Sequence, residues 1–362
     1  MPGYKVLVVD DSALMRRLLV DMLRGQGYEV ITASNGADAV DLLVQEHPDA
    51  VTLDINMPKM DGLTALSLMM AARPTPIIMV SSLTERGALA TLEALALGAF
   101  DYVLKPSGTI SLSVDEIALS LSHTLKAALR SKPRTRSTAA RPLSVAANDA
   151  TLPMWRAGSV VHTPDIASRV GACPLVLIGV STGGPRTLED ILPRLPANFP
   201  AAILIAQHMP ANFTQTFAQR MDRICPMPVR EANAVMPVQA GHVYIGQGGH
   251  DMVVSKRLGR VVVMPAPESA AHAWHPSVDV LVESAMKVMP AQQLVGVQLT
   301  GMGHDGAQAM AHLKNQGGKT IAESESSAVV FGMPCELIER GGASVVLPAD
   351  AVADQLRTWL AA

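Results

Sequence analysis

Leu175-Val176-Leu177-Ile178-Gly179-Val180-Ser181-Thr182-Gly183-Gly184-Pro185 decides the fold. An apolar run without polar alternation fits a strand buried on both faces, the condition of a parallel sheet covered by helices. It leads straight into Gly-x-Ser-x-Gly, and Gly-Gly-Pro punctuates the start of a helix expected from Arg186. Glycines at such a turn let the chain reverse sharply and leave the Ser181 hydroxyl exposed at the carboxyl end of the strand. Taken alone, the pattern has two other readings: Ser181 and Thr182 as helix caps, or a glycine-rich turn holding a phosphate at a helix N-terminus.

The same alternation extends in both directions. Downstream, Ala201–Ala206 and Leu294–Leu299 read as strands, with helices near Phe213–Met221 and from Ala307. Val243–Ile245, Met252–Val254 and Arg260–Val263 are short strands separated by glycine-rich turns, which predicts a β-hairpin inserted in the parallel sheet. Upstream, Lys5–Val9, Glu29–Ala33, Ala50–Leu53, Ile77–Val80 and Phe100–Leu104 are strands. Helical spacing fills the gaps over Ser12–Gln26, Ala37–Glu46, Leu63–Ala72 and Arg86–Gly98. The chain is therefore read as two doubly wound α/β domains. Between them, about residues 131–170 turn basic at Lys132-Pro133-Arg134-Thr135-Arg136 and then rich in Ala, Pro and Ser, the composition of a linker. Trp155 and Val160-Val161 within it predict that part of the linker packs on a domain.

Composition agrees and narrows the function. A chain of 362 residues is too long for one ordinary domain, and 49% hydrophobic with 17% charged residues suits large α/β cores. A net charge of -3 gives no electrostatic case for nucleic acid, and 3% aromatics leave few stacking platforms for single strands. Cys173, Cys225 and Cys335 are odd in number and in no metal-ligand spacing, which fits a reducing cytoplasm. The apolar run after Met1 meets Asp10 too soon for a signal peptide, and no apolar stretch reaches the roughly 18 residues of a membrane-spanning helix.

Two groups of residues carry chemistry. In an open parallel sheet, ligands gather at the carboxyl ends of the strands. In the first domain that edge holds Asp10, Asp11, Asp54, Ser81 and Lys105. Three converging carboxylates repel unless a cation joins them, hard oxygen donors suit Mg²⁺, and a lysine with a hydroxyl can grip a phosphoryl group. In the second domain, His208 follows a buried strand and Asp305 sits in Thr300-Gly301-Met302-Gly303-His304-Asp305-Gly306. A serine needs an imidazole to take its proton, and the imidazole needs a carboxylate to fix its tautomer. His304 and His250 rival His208 as the base, and Asp305 could instead be a turn former or a cap for the helix from Ala307.

Val8-Val9-Asp10-Asp11-Ser12, Asp54-Ile55-Asn56-Met57-Pro58-Lys59-Met60-Asp61-Gly62 and Lys105-Pro106 resemble a two-component receiver domain over about residues 3–125. The resemblance implies a flavodoxin-like (βα)5 fold in which Asp54 accepts a phosphoryl group from a histidine kinase. It also implies that Mg²⁺ is held by Asp10, Asp11, Asp54 and the backbone carbonyl of Asn56, and that Ser81, Tyr102 and Lys105 form the switch, with Tyr102 turning inward on phosphorylation.

Gly179–Pro185, His208-Met209-Pro210-Ala211-Asn212-Phe213-Thr214, His275-Pro276-Ser277-Val278-Asp279, Leu299–Ala307 and Val330-Phe331-Gly332-Met333-Pro334 resemble the catalytic domain of the chemotaxis protein-glutamate methylesterases, the CheB family. The resemblance implies Ser181 as nucleophile, His208 as general base and acid, Asp305 as its orienting carboxylate, and Thr182 and Met302 at the oxyanion hole. It implies hydrolysis of glutamate γ-methyl esters on methyl-accepting chemoreceptors, with glutamine deamidation as a second activity and no cofactor for the hydrolase reaction. The domains expected are a receiver over 1–125, a linker over 126–170 and a methylesterase domain over 171–362. The protein is expected to be cytoplasmic and monomeric, without nucleic-acid binding or membrane insertion. One segment departs from the family: Gly246-Gln247-Gly248-Gly249-His250 lacks the Ala-Pro-Gly commonly found before the histidine, which predicts a looser turn. Two other readings compete: a receiver whose output domain only binds a partner, and a hydrolase for small esters. A transcriptional output would need a basic helix-turn-helix, whereas Asp350–Ala362 reads as a short helix with one arginine.

Overall fold

The structure, a computed structural model, describes residues 3–82, 84–105, 110–130 and 173–360. The first domain runs β1 (Lys5–Val9), α1 (Ala13–Gly25), β2 (Glu29–Ala33), α2 (Gly36–Glu46), β3 (Ala50–Asp54), α3 (Gly62–Ala72), β4 (Ile77–Ser81), α4 (Glu85–Leu97), β5 (Asp101–Leu104) and α5 (Ile110–Arg130). Its five strands form one parallel sheet in the order β2-β1-β3-β4-β5. The central β3 and β4 are buried along their whole length, as strands covered by helices on both faces must be. Ser12, Asn35, Asp61 and Thr84 each accept a backbone N–H at the start of a helix, a cap typically worth about 1 kcal/mol. The expected linker start at residue 126 falls inside α5. That helix continues to Arg130 because Leu121, Leu125 and Ala128 keep an apolar stripe on the core. The remainder of the expected linker, with Trp155 and Val160-Val161, lies outside the described residues.

The second domain runs β6 (Leu175–Val180), α6 (Gly184–Ile191), β7 (Ala202–Gln207), α7 (Ala211–Ile224), β8 (Val229–Ala232), β9 (Met236–Pro237), β10 (Val243–Gly246), β11 (Asp251–Arg257), β12 (Arg260–Ala266), α8 (Val278–Val288), β13 (Leu294–Gln298), α9 (Ala307–Asn315), β14 (Lys319–Glu323), α10 (Met333–Glu339), β15 (Val345–Leu347) and α11 (Ala349–Leu360). Seven strands form a parallel sheet in the order β15-β14-β13-β6-β7-β10-β8. β6 therefore lies between β7 and β13, where the winding reverses. The loops after these three strands open on one crevice, the usual ligand site of such a sheet.

The expected hairpin is present as β11 and β12, but it builds its own antiparallel sheet with β9. Val243–Ile245 belongs to the parallel sheet instead, in register with β7 and β8. The glycine turn after it is not loose. Gly248 donates its N–H to Thr214 Oγ1 at 3.1 Å and passes so close to the Met209 carbonyl that a Cβ would collide with it. No helix among the described residues is long and apolar enough to cross a membrane.

The two domains meet face to face. α4 packs on α6 and α7, and one apolar cluster runs from Ala88, Leu92 and Leu95 of the first domain to Phe213 and Phe217 of the second. Tyr102 of β5 stacks on Phe213 of α7, with ring centroids 5.0 Å apart and planes 7° from parallel.

Candidate active site

Ser181 follows β6, and the turn that carries it is stitched to both neighbouring strands. Its N–H donates to Thr300 O at 2.9 Å, and Thr300 Oγ1 donates to Thr182 O at 2.9 Å. Gly183 adopts φ +76°, a conformation that glycine takes without strain. Gly301 comes so close that a Cβ there would sit 2.7 Å from the Ser181 Cβ. Buried Gln207, the last residue of β7, donates from Nε2 to the carbonyls of both Ser181 at 3.1 Å and His208 at 3.2 Å. One amide thus ties the turn bearing the serine to the turn bearing the histidine.

His208 Nε2 lies 2.8 Å from Asp305 Oδ2. Asp305 is buried, and its Oδ1 accepts Ser277 Oγ at 2.9 Å and Asp279 N at 3.2 Å, while Oδ2 also accepts Val278 N at 2.7 Å. Burial pushes this carboxyl up, yet His208 and the N–H groups of Val278 and Asp279 more than offset it and hold it below the ordinary carboxylate range. Asp305 is therefore ionised at neutral pH and fixes the tautomer with hydrogen on Nε2. Nδ1 is left as the basic nitrogen, buried and without a hydrogen-bond partner. Gln298 at the end of β13 secures the acid from behind, its Nε2 donating to Asp305 O at 3.0 Å.

The two other candidate imidazoles stand in different surroundings. His250 is exposed in the turn before β11, and exposed His304 packs edge-on against Trp274. The supporting residues Gln207 and Gln298 escape a motif reading, whereas Ser277 lies within the motif His275-Pro276-Ser277-Val278-Asp279 without a role assigned to it there. The available signal is a fully buried amide at the end of an otherwise apolar strand, as in Ala202-Ile203-Leu204-Ile205-Ala206-Gln207 and Leu294-Val295-Gly296-Val297-Gln298.

In the first domain, three carboxylates come together at the carboxyl edge of the sheet. Oxygens of Asp10, Asp11 and Asp54 lie within 4.8 Å of one another, with Asp10 and Asp54 buried and Asp11 exposed. Lys105 Nζ is 2.9 Å from both Asp10 Oδ2 and Asp54 Oδ2. Burial pushes the Asp54 carboxyl up against the pull of Lys105, while Lys105 rises above its ordinary value because the two carboxylates outweigh its own burial. A set of hard carboxylate oxygens at this spacing fits Mg²⁺. Ser81 Oγ is engaged with Thr91 Oγ1 at 2.8 Å rather than turned to Asp54.

Residues 176–356 match the family described as CheB methylesterase, and residues 6–114 match the response regulator receiver domain. A protein of Rhodospirillum rubrum named protein-glutamate methylesterase/protein-glutamine glutaminase 3 is 50% identical over 98% of this chain and 96% of its own length. The chain belongs to the CheB methylesterase family. A protein of Archaeoglobus fulgidus named protein-glutamate methylesterase/protein-glutamine glutaminase is 41% identical over 98% of both chains. The crystal structure of the Thermotoga maritima CheB methylesterase catalytic domain covers 51% of this chain and 98% of its own, with 39% identity and a TM-score of 0.50.

In this CheB-family chain the receiver reaches the turn that carries Ser181 directly. The carboxylate of Asp101, in β5 beside Tyr102, accepts hydrogen bonds from the Thr182 hydroxyl and the Gly183 N–H. Burial pushes Asp101 up to about 7, with those bonds and the Tyr102 N–H opposing the rise. Thr182, expected at the oxyanion hole, is thus occupied by the receiver, while Met302 lies half-buried beside Gly301.

Proposed function

We infer that Ser181, His208 and Asp305 carry out ester hydrolysis in a phosphorylation-activated protein-glutamate methylesterase and protein-glutamine glutaminase of chemotaxis-type signalling. The observation that carries the reading is the His208–Asp305 pair, which engages Nε2 and leaves buried Nδ1 without a partner, on a turn that Gln207 ties to the turn of Ser181. Ser181 Oγ attacks the γ-carbonyl of a glutamate methyl ester and passes its proton to His208 Nδ1. The negative oxygen that forms is held by backbone N–H groups near Thr182 and Met302, each such donor typically contributing about 10²–10³ in rate. The tetrahedral intermediate collapses, the C–O bond to the methoxy group breaks, and His208 returns the proton to release methanol. Water, activated by the same imidazole, then cleaves the glutamyl ester on Ser181. A glutamine side chain follows the same course and releases ammonia. Each step uses groups of this chain and water. His208 Nδ1 has no hydrogen-bond partner in the free chain, so the Ser181–His208 hydrogen bond is a contact that forms when substrate arrives, as is common for catalytic pairs whose apo geometry is loose.

Acid-quenched turnover of a methylated receptor fragment is expected to leave the glutamyl group on the peptide that contains Ser181, read by mass spectrometry. A glutamyl label on any other residue moves the nucleophile elsewhere.

The receiver takes its phosphoryl group on Asp54 from a chemotaxis histidine kinase. Asp10, Asp11, Asp54 and the Asn56 carbonyl would hold the Mg²⁺, which neutralises the transferring phosphoryl oxygens when bound. Lys105 pairs with the same oxygens. Ser81 leaves Thr91 to meet the phosphoryl group, and Tyr102 leaves Phe213 and turns inward. The receiver extends through α5, a linker follows to about residue 170, and the catalytic domain begins near residue 171. The substrates are methyl-accepting chemoreceptors, and the enzyme works as a monomer in the cytoplasm. Incubation with labelled phosphodonor and Mg²⁺ should label the wild-type chain and leave Asp54→Asn unlabelled. Wild-type labelling of Asp54→Asn would refute the assignment.

A further inference from the structure

We propose that Trp274 is a positioning residue of the hydrolase, an indole plate that holds the His208 ring in its working plane and stabilises the imidazolium formed during proton transfer. The inference rests on the reading of His208 as the base. The Trp274 and His208 rings lie 5.5 Å apart between centroids and 5° from parallel, an offset stack. Asp305 holds the imidazole by one edge only, through Nε2, and a ring held at a single edge can still tilt about that hydrogen bond. A parallel aromatic face removes the tilt and keeps Nδ1 in one direction. When Ser181 gives up its proton, the O–H bond breaks, an N–H bond forms at Nδ1, and the ring becomes a cation. That cation then lies within about 6 Å of the electron-rich indole face, the range of a cation–π interaction. Asp305 bears on the same cation from the Nε2 edge. His304 meets the indole edge-on at 5.6 Å and 84°.

The plate is itself held from two sides. At Gly303, φ +88°, a Cβ would come within 3.0 Å of the indole, so the backbone of the Met302–Asp305 turn lies directly against the ring. The segment after Trp274 is anchored on Asp251, the first residue of β11. Buried Asp251 pairs with His275 Nδ1 at 3.0 Å and accepts Ser277 N at 2.9 Å through Oδ1, and accepts Ser269 N at 2.9 Å through Oδ2. The separate hairpin sheet thereby gains a role: it supplies the anchor for the loop that carries Trp274. The next residues of that loop, Ser277 to Asp279, donate to Asp305, so one loop presents the indole to the face of His208 and holds the acid on its edge. Trp274 is half-buried rather than lost in the core, and a residue needed only to fill volume has no reason to lie parallel to the imidazole.

The test compares Trp274→Phe and Trp274→Leu in the phosphorylated full chain, measured by methanol release from methylated receptor, with His208→Ala alongside. Trp274→Leu is expected to lower kcat about tenfold with KM changed less than about twofold, and Trp274→Phe to recover most of that loss. Thermal melts show that each variant is folded, and Trp274→Met replaces Trp274→Leu if the latter melts early. Wild-type kcat in Trp274→Leu, equal losses in the Phe and Leu variants, or a loss confined to KM would each overturn the proposal. Substantial methanol release by His208→Ala would instead overturn the reading of His208 as the base.

Discussion

Ser181→Ala should lower methanol release from methylated receptor by about 10³-fold or more while leaving the thermal melt unchanged. Ser181 is half-buried at a turn, and what fixes that turn is its backbone: Ser181 N on Thr300 O, Gln207 Nε2 on Ser181 O, and the close approach of Gly301. Removing Oγ breaks none of these bonds, so the loss falls on chemistry. His208→Ala should match it. Because a triad works as one unit, the double variant should be little slower than either single one. Substantial methanol release by Ser181→Ala would remove the acyl-enzyme mechanism.

The second large effect concerns the receiver. A carboxylate on the Thr182 hydroxyl and Gly183 N–H, together with a tyrosine stacked on Phe213, places the receiver against the turn proposed to accept the substrate carbonyl. Tyr102→Ala in the unphosphorylated full chain, and a fragment of residues 165–362, should therefore both exceed the unphosphorylated wild type and approach the phosphorylated rate. A hinge motion of this kind needs only a modest interface to be tipped by phosphorylation. A fragment no faster than the unphosphorylated full chain would mean that the receiver activates by another route.

Asp101 adds a pH dependence whose sign follows from its environment. Its carboxyl ionises near 7 in the closed pair, against an ordinary value of 3.8 once the domains part. Closing therefore takes up a proton between about pH 4 and 7. The closed state is favoured at the acid end, loses ground as pH rises towards 7, and is insensitive above it. The rate of the unphosphorylated full chain relative to the fragment should rise from pH 5 to 7 and then level off. Asp101→Asn should flatten the ratio.

What the sequence reveals divides along a physical line. The receiver strands fall within a residue of their expected bounds because each is a short β-branched run bounded by caps and turns, which are local signals. The same holds for β6, β7 and β13 and for the three motifs at their ends. Partnership across the sheet is not local. Val243–Ile245 looks like one arm of a hairpin because glycine turns follow it, yet its neighbours are β7 and β8, reached by crossovers that no short window contains. Lys319–Glu323 and Val345–Leu347 carry too little patterning to stand out as strands; the first pairs on the edge that β13 offers, and the second on the edge of the first. At the site, Ser181, His208 and Asp305 are legible through glycine-rich turns and strand ends, although His208 and Asp305 lie 97 residues apart. Trp274 and Asp101 are not, since an indole over an imidazole and a carboxylate on a neighbouring domain's turn are products of packing.

The most direct measurement is methanol release from methyl-labelled chemoreceptor by the full chain, with and without phosphodonor and Mg²⁺. The expected result is slow release that rises on phosphorylation, fails to rise in Asp54→Asn and is lost in Ser181→Ala. The contradicting result is no release in either condition from a chain that carries phosphate on Asp54, which would leave a receiver joined to a domain that only binds its partner.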